Sequence, residues 1–494
     1  MYHDLIYLDH YVYNTTMRRN LHMKKIRKGL AIILLVLVVF LTFALVSCLP
    51  YSKQGSVTAQ TKEMFDSSQF YRDSVGPERA LVLADNGDAL VERIRLIAHA
   101  KNRIVLSTFA FQADNSGKLM LSALYAAADR GVNVEIIIDA FSYLTALSGK
   151  EFFQALGTHE NVTIKVYNSM NLLQPQKWNA RLHDKYLLID EYAYILGGRN
   201  TFDYFLGEDT SYKNYDWDVL VYSEEQSSPS LTELYNYFNR IWNMKETKVV
   251  ASSIGLTQKG KVSDARQQLV ALYQATLTKH PDWVQSIDYR KITVPTNRVR
   301  IMTNPIETTI KEPTLFYTIT QLMQDSKEDI IIHSPYILCN DYMLAQLRTL
   351  CKSHTVTLMT NSVANNGNPF GAADYMLNKD KLLDTGLKIL EYDKGISYHG
   401  KCFTIGNRLS AIGSFNWDMR SAYIDTEVML FVDGKEFNEM LRHDMASYEQ
   451  DSLAINPDGT YHLQSGQVPR TISKKRNLRM KLILPFDRLV RFLM

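Results

Sequence analysis

The feature that most constrains the fold of this chain is a short pattern that occurs twice. "RLHDKYLLID" at 181–190 and "SYHGKCFTIG" at 397–406 each place a lysine two residues after a histidine. Each segment is followed by a glycine turn that contains an asparagine, "GGRN" at 197–200 and "GSFN" at 413–416. Two copies of one ordered pattern, more than two hundred residues apart, predict a duplicated architecture in a single chain.

The surrounding sequence predicts the same secondary structure around both copies. In each half an apolar, β-branched run is followed by an amphipathic helix and then by a second apolar run. This order and spacing indicate a βαβ unit with a parallel core sheet. The predicted strand, helix and strand are 103–111, 117–131 and 132–140 in the first half, and 328–337, 342–353 and 355–362 in the second.

At 494 residues the chain is too long for one ordinary core, so two domains are expected. We predict an α/β fold of two repeats related by a pseudo-twofold axis. The predicted segments are an over-long extension at 1–22, a signal or transmembrane segment at 23–50, a first domain at 75–250, a helical connector at 251–295, a second domain at 296–460 and a basic amphipathic tail at 470–494.

The amino end predicts attachment to a membrane. A basic cluster at 24–28 precedes an uncharged apolar run that is about as long as a span of about 20 residues requires. By the positive-inside rule the body would lie outside the cytoplasm. The run ends in "LVSC", similar to a lipoprotein cleavage box, so lipidation of Cys48 and an uncleaved anchor are both open. The other three cysteines are scattered, which argues against a disulfide framework.

The His-x-Lys spacing predicts a shared pocket. Residues i and i+2 of a strand point to the same face, so His183 would accompany Lys185, and His399 would accompany Lys401. The glycine turns would bring further polar groups into the same place. These candidate phosphate-binding residues are Asn200, Asn416 and Ser414.

Such a set of groups suits a phosphodiester. Lysines and amides match a phosphate oxyanion, one imidazole can attack phosphorus, and the other can exchange a proton with the leaving and entering oxygens. We expect Asp218 and Glu427, which open the apolar runs after the glycine turns, to hold the second nitrogen of each ring. Three further acids, Glu208, Asp209 and Asp216, read as solvated charges. We expect no metal site and no cofactor, because the lysines supply the positive charge.

These residues carry a family resemblance. His183-x-Lys185 with Asp190, and His399-x-Lys401, resemble the paired HKD motifs of the phospholipase D superfamily over nearly all of 85–450. "SFNWDMRSAYIDTE" at 414–427 is similar to bacterial cardiolipin synthases. The resemblance implies a phosphatidyltransferase with catalytic residues His183, Lys185, Asp190, His399 and Lys401. It also implies that His183 is the nucleophile and His399 the acid–base partner. The opposite assignment of the two histidines stays open, because the two halves are related by pseudo-symmetry.

One position departs from the family pattern, since Gly406 stands where the second motif should end in aspartate. We expect activity to survive with a looser second half, because the motif aspartates serve local structure. The alternative is that the second half has decayed and the protein is inactive.

The alternatives to a phosphatidyltransferase are a hydrolytic phospholipase or nuclease of the same superfamily, and a catalytically silent membrane protein that binds anionic lipid.

The expected partners are phospholipids such as phosphatidylglycerol and an anionic membrane surface, which the basic tail would contact. The net charge of only +3, with basic residues concentrated at the chain ends, argues against nucleic acid. The sequence leaves the oligomeric state open.

Overall fold

A computed structural model gives the fold. It describes residues 2–207, 213–223, 228–250, 255 and 258–494, with only the backbone of 2–21 and 486–489. Glu208 and Asp209 therefore lie outside the described residues. The described part of the chain confirms the predicted mixed α/β architecture, which contains two nine-stranded sheets.

In its described residues the first half supplies ten strands. Strands β2, β3 and β4 run parallel, as the predicted βαβ unit requires. The sheet order is β10-β1-β8-β6-β5-β2-β3-β4-β9, and β7 lies outside it. The strands are β1 (Glu78–Leu83), β2 (Arg103–Thr108), β3 (Asn133–Asp139), β4 (Val162–Tyr167), β5 (Tyr186–Ile189), β6 (Ala193–Gly197), β7 (Asn214–Tyr215), β8 (Asp218–Ser223), β9 (Lys248–Val249) and β10 (Val294–Pro295).

The second half repeats this topology in the order β11-β20-β18-β17-β12-β14-β15-β21-β22. Its parallel strands β12, β14 and β15 correspond to β2, β3 and β4. The strands are β11 (Arg298–Thr303), β12 (Ile330–His333), β13 (Ile337–Leu338), β14 (Val356–Asn361), β15 (Lys388–Tyr392), β16 (Ser397–Tyr398), β17 (Cys402–Ile405), β18 (Leu409–Gly413), β19 (Trp417–Asp418), β20 (Val428–Asp433), β21 (Ser452–Ile455) and β22 (Tyr461–His462).

Helices cover the sheets and connect their strands. Side-chain caps begin several of them, as at Asp114 and Asn340, whose oxygens accept backbone N–H groups of the first turn. The helices are α1 (Tyr2–Ser47), α2 (Ala59–Met64), α3 (Asn86–His99), α4 (Asn115–Asp129), α5 (Ala140–Ser142), α6 (Glu151–Gly157), α7 (Pro229–Trp242), α8 (Lys259–Lys279), α9 (Thr314–Asp325), α10 (Asp341–Cys351), α11 (Pro369–Leu383), α12 (Met419–Tyr423), α13 (Lys435–Gln450) and α14 (Lys474–Val490).

A shared apolar core joins the two halves. In β5, Leu187 and Ile189 face the outer core of the first half, whereas Tyr186 and Leu188 face a central cluster. That cluster also contains apolar residues of β17, β18 and β20 and of the helices α7 and α13. The alternation of strand side chains thus buries one face of each sheet against the other half.

Both chain ends have features of membrane contact. Part of α1 is long and apolar enough to span a membrane, and it is almost entirely exposed, which fits an anchor. At the other end α14 packs on α11 through the buried Met480, while Leu478 and Leu482 are exposed. The side chains of Phe486 and Leu489, also part of the predicted apolar tail, lie outside the described residues.

Candidate active site

The two His-x-Lys segments are extended approaches to equivalent strands. His183 and Lys185 lead into β5, and His399 and Lys401 lead into β17. In both segments the lysine carbonyl accepts a hydrogen bond at 3.2 Å from the last glycine of the next strand, β6 or β18. Strands β6 and β18 therefore hold the two segments in the same way. In each segment the histidine and the lysine occupy alternate positions along the chain.

The residue between histidine and lysine faces the protein interior in both segments. The fully buried Asp184 accepts a hydrogen bond from the hydroxyl of Tyr237 at 2.9 Å. At the equivalent position a Cβ on Gly400 would lie 2.3 Å from Cδ1 of Trp217. The second copy therefore needs glycine there, because an indole fills the space.

The carboxylates that hold the imidazoles are exchanged between the halves. Nδ1 of His183 lies 2.8 Å from Oε1 of Glu427, and Nδ1 of His399 lies 2.6 Å from Oδ2 of Asp216. Two parallel strand contacts between the halves support the exchange. Leu182 pairs with Thr426, and β16 pairs with β7. Each ring thus has one nitrogen fixed, which leaves Nε2 for chemistry.

The expectation that Asp218 would hold a histidine is wrong. Asp218 is fully buried and pairs with Arg93 at 2.9 Å and Arg199 at 3.2 Å. The sheet register explains the error, because Gly197 pairs with Asp218 whereas Gly413 pairs with Met429.

The structural counterpart of Glu427 is therefore Asp216, which likewise lies two residues before the glycine's partner. Asp216 is only 2% exposed, so its interpretation as a solvated charge is also wrong.

The lysines lie behind the imidazoles. Nζ of Lys185 donates to the carbonyl oxygen of His183 at 2.5 Å. Nζ of Lys401 likewise donates to the carbonyl oxygen of His399, and it lies 2.6 Å from Nδ1 and 3.1 Å from Nε2 of that ring. Lys185 and Lys401 are 2% and 1% exposed, whereas the side chains of His183 and His399 keep 12% and 20% of their exposure. A ligand from solvent therefore reaches the rings before the ammonium groups.

Burial controls the protonation of the cations. It lowers the pKa of Lys401 to about 7 and that of Lys185 to about 8, although carboxylates nearby oppose the change. Burial and Lys401 lower the pKa of His399 to about 4. Burial and Lys185 hold the pKa of His183 well below its usual value. Both rings are therefore neutral near pH 7 and can act as nucleophile or base.

The two carboxylates differ in charge. Burial raises the pKa of Glu427 to about 8, despite the opposing effects of Lys185 and two serine hydroxyls. Burial also acts to raise the pKa of Asp216, but Lys401 and His399 outweigh it and bring that pKa below its ordinary value. Asp216 is thus ionised near neutral pH, and the two halves of the site are not electrostatically equivalent.

The two asparagines and the serine that were candidate phosphate ligands have different roles in the structure. Asn200 accepts the backbone N–H of Ala110 at 3.2 Å, and Nδ2 of Asn416 donates to the hydroxyl of Tyr336 at 3.2 Å. Oδ1 of Asn416 is buried and forms no hydrogen bond. The Ser414 hydroxyl donates to Glu427, so its expected place on the phosphate is wrong. Ser414 instead supports the carboxylate that holds His183.

The last residue of each motif serves the backbone. Asp190 has a φ of 46°, and its carboxylate accepts backbone N–H groups of Lys101, Asn102 and Arg103 at 2.8–2.9 Å. Gly406 has a φ of 56° and occupies the equivalent turn. Asp190 is thus a structural part of the motif, and Gly406 keeps its backbone without its side chain.

Sequence reasoning missed three supporting groups. The rings of Phe109 and Phe205 meet His183 and His399 edge-on, with centroids 5.4 and 5.0 Å away. The Ser421 hydroxyl donates to Oε1 of Glu427 at 2.6 Å. Each aromatic residue lies in a loop far in sequence from the histidine that it contacts, so only the fold reveals the pairing. Among the described residues no group of three or more histidine, cysteine or acidic side chains could hold a metal.

Known proteins resemble this chain in sequence. Cardiolipin synthase C of Escherichia coli is 25% identical over 393 residues, which cover 72% of this chain and 81% of that protein. Cardiolipin synthase 1 of Staphylococcus epidermidis is 26% identical over 375 residues, covering 75% and 67%. An uncharacterized protein of Helicobacter pylori is 24% identical over 411 residues, covering 76% and 80%.

A solved structure and a family model agree with the geometry. The crystal structure of phosphatidylserine synthase from Haemophilus influenzae matches with a TM-score of 0.62 at 15% identity, over 88% of this chain and all of that one. The family model described as "Cardiolipin synthase, PLD-like domain" matches residues 93–242 and 319–448, more than half of the chain and one segment in each repeat. The chain therefore belongs to the phospholipase D superfamily, in the family of cardiolipin synthase PLD-like domains.

Proposed function

We propose that this protein is a phosphatidyltransferase that makes cardiolipin from phosphatidylglycerol through a phosphohistidine intermediate. The observation that carries the proposal is the exchanged pair of contacts, His183 with Glu427 and His399 with Asp216. It supplies two oriented imidazoles, each backed by a buried lysine, in one site. The similarity to cardiolipin synthases supports a phospholipid as the substrate.

In the first step Nε2 of His183 attacks the phosphorus of one phosphatidylglycerol. A P–N bond forms while the P–O bond to the glycerol headgroup breaks, and His399 gives its proton to the departing oxygen. That proton comes from solvent when the substrate binds, because the negative phosphate raises the pKa of His399 and favours the imidazolium. Lys185 and Lys401 stabilise the charge that develops on the phosphate oxygens.

In the second step a hydroxyl of another phosphatidylglycerol attacks the phosphohistidine. His399, now neutral, takes the hydroxyl proton as the new P–O bond forms, and the P–N bond to His183 breaks. Cardiolipin leaves, His399 releases the proton to solvent, and both imidazoles return to their starting states. Pseudo-symmetry allows the reverse assignment, with His399 as nucleophile. Hydrolysis follows the same steps with water as the second acceptor.

The proposed location is the outer face of the cell membrane. The basic cluster at 24–28, which lies within α1 just before its apolar part, would stay in the cytoplasm and place the catalytic body outside. Cleavage and lipidation at Cys48 would hold the body on the same side. The basic, partly apolar helix α14 adds a second surface for anionic lipid.

One assay separates the candidate reactions. Full-length protein is incubated with vesicles of labelled phosphatidylglycerol in excess chelator, and the products are separated. Cardiolipin with glycerol supports transfer, whereas phosphatidic acid establishes hydrolysis instead. Vesicle binding without turnover would show a silent lipid-binding protein. Loss of activity in chelator that zinc or magnesium restores would overturn the metal-free mechanism.

Variants test the assignment of the nucleophile. His183→Asn should abolish turnover and prevent a covalent phosphatidyl adduct. His399→Asn should slow turnover but still allow the adduct to accumulate when the substrate carries a good leaving group. His462→Asn is the matched control, because His462 lies exposed on β22. An adduct in His183→Asn but not in His399→Asn would reverse the two roles.

A further inference from the structure

A loop between β4 and β5 is built to project apolar side chains. We name residues 168–180 the leucine loop. Its base is closed by Asn168, which has a φ of 57° and whose Nδ2 donates to the carbonyl oxygens of Lys177 and Ala180. The tip carries Met170, Leu172 and Leu173, which are 44%, 65% and 83% exposed.

The leucine loop lies against the anchor helix. Its Trp178 ring packs on Phe40 of α1, with ring centroids 6.1 Å apart. Phe40 lies eight residues before Cys48, which corresponds to about 12 Å along a helix. When α1 spans a bilayer with a hydrocarbon core about 30 Å thick, Trp178 therefore lies at the level of the lipids. Tryptophan favours the membrane interface, where its ring is buried and its N–H is satisfied.

The alternative anchor leads to the same loop. Nδ2 of Asn179 donates to Sγ of Cys48 at 3.1 Å. A lipid attached to Cys48 after cleavage would thus begin beside Asn179. Both forms of attachment therefore bring the bilayer to residues 178 and 179.

The leucine loop also leads directly into the active site. The carbonyl oxygen of Asn179 accepts a hydrogen bond from Arg420, and the backbone N–H of Arg181 donates to Asp425 at 3.1 Å. Two residues further along the chain is His183. The leucine loop thus contacts the anchor and is continuous with the short segment that carries His183.

We propose that the leucine loop inserts its tip into the adjacent lipid monolayer, so that a phospholipid reaches the histidines from that monolayer. The exposed apolar tip contacts the acyl-chain region of that monolayer. The lipid substrate in this inference rests on the proposed function, whereas insertion of the loop does not depend on which reaction follows.

The depth of the loop can be measured directly. An environment-sensitive dye is attached to full-length Leu173→Cys in phosphatidylglycerol vesicles, and its quenching by acyl-brominated lipid and by aqueous iodide is compared. Val270→Cys is the control, since Val270 is exposed on α8, which packs on α4 and α6. Three native cysteines are buried and Cys351 is half-buried, so the unsubstituted protein gives the labelling background.

Quenching at position 173 by the brominated lipid, with protection from iodide, is the expected result, and position 270 should behave in the opposite way. Quenching of position 173 by iodide alone would overturn the inference. Protection from both quenchers would also overturn it, because it would show that the tip is covered by protein, such as a second copy of the chain.

Activity provides a second measurement. Leu172→Asn with Leu173→Asn should lower turnover of vesicle substrate about tenfold, because the tip no longer partitions into lipid, and leave turnover of monomeric short-chain phosphatidylglycerol unchanged. Val270→Asn should change neither rate. Equal rates on vesicles for the double variant and the unsubstituted protein would contradict the inference. If the unsubstituted protein forms no product at all, the proposed function fails, while the quenching result still decides whether the loop inserts.

Discussion

Oδ2 of Asp216 lies 2.6 Å from Nδ1 of His399, although the two residues belong to different halves of the chain. The reciprocal contact joins His183 to Glu427. Each imidazole is therefore oriented by a carboxylate of the opposite repeat, and neither half contains a complete histidine–acid pair.

Asp216→Asn should reduce kcat by roughly 100-fold or more, the scale of a general acid–base contribution, because the amide cannot stabilise a protonated His399. Turnover at saturating phosphatidylglycerol measures the effect, and the unfolding temperature should change little. Asp218→Asn is the contrasting variant. It leaves Arg93 and Arg199 without their buried carboxylate, so it should chiefly lower the unfolding temperature. Equal losses of activity and stability in both variants would contradict the assignment.

The alkaline side of the pH profile should report the lysines. The pKa of Lys401 is lowered to about 7 and that of Lys185 to about 8, so both cations are lost as the pH rises through this range. We expect kcat/KM to fall above about pH 7, whereas kcat should persist to higher pH because bound phosphate favours the charged lysines. Initial rates across the pH range at low and saturating substrate provide the measurement. A kcat/KM that stays constant to pH 9 would be inconsistent with catalytic ammonium groups.

Gly406→Ala should destabilise the second half. The residue has a φ of 56°, and an added Cβ would lie 2.8 Å from Cβ of Glu328, which cannot move as a flexible side-chain end can. The left-handed conformation alone costs about 1–2 kcal/mol for a residue with a Cβ. Denaturant unfolding measures the change. The counterpart Asp190→Gly removes the carboxylate that accepts three backbone N–H groups and should cost about 1–3 kcal/mol. A neutral Gly406→Ala would show that this turn can relax.

Gly400→Ala should reduce activity strongly although it adds only one methyl group. Its Cβ would lie 2.3 Å from Cδ1 of Trp217, and Trp217 adjoins Asp216 in sequence. Overpacking of this kind costs about 1–3 kcal/mol, and the displaced indole would move the carboxylate that holds His399. Comparing kcat with the unfolding temperature separates the two effects. Asp184 is the equivalent position in the other half. Asp184→Asn should leave His399 in place and keep its contact with Asp216.

The sequence was sufficient for the repeat, the parallel strands and the two His-x-Lys pairs, because strand alternation and βαβ spacing are local properties. The choice between Asp216 and Asp218 depends on the register between β6 and β8, and the exchange between halves depends on how the repeats dock. Neither is visible in a linear pattern. Ser414 was misassigned for the same reason, since its distance from Glu427 is set by the pairing of β18 with β20. Phe109 and Phe205 carry no periodic signal that connects them with the histidines.

The reciprocal strand contacts of Leu182 with Thr426 and of β16 with β7 restrict how a long-chain molecule can enter. Moving the repeats apart would break both contacts and withdraw each acid from its imidazole at once. Under the proposed function, a two-tailed lipid would therefore thread its headgroup between closed repeats, with its hydrocarbon tails remaining outside. These strand contacts thereby favour a sideways movement of the substrate over an opening of the protein.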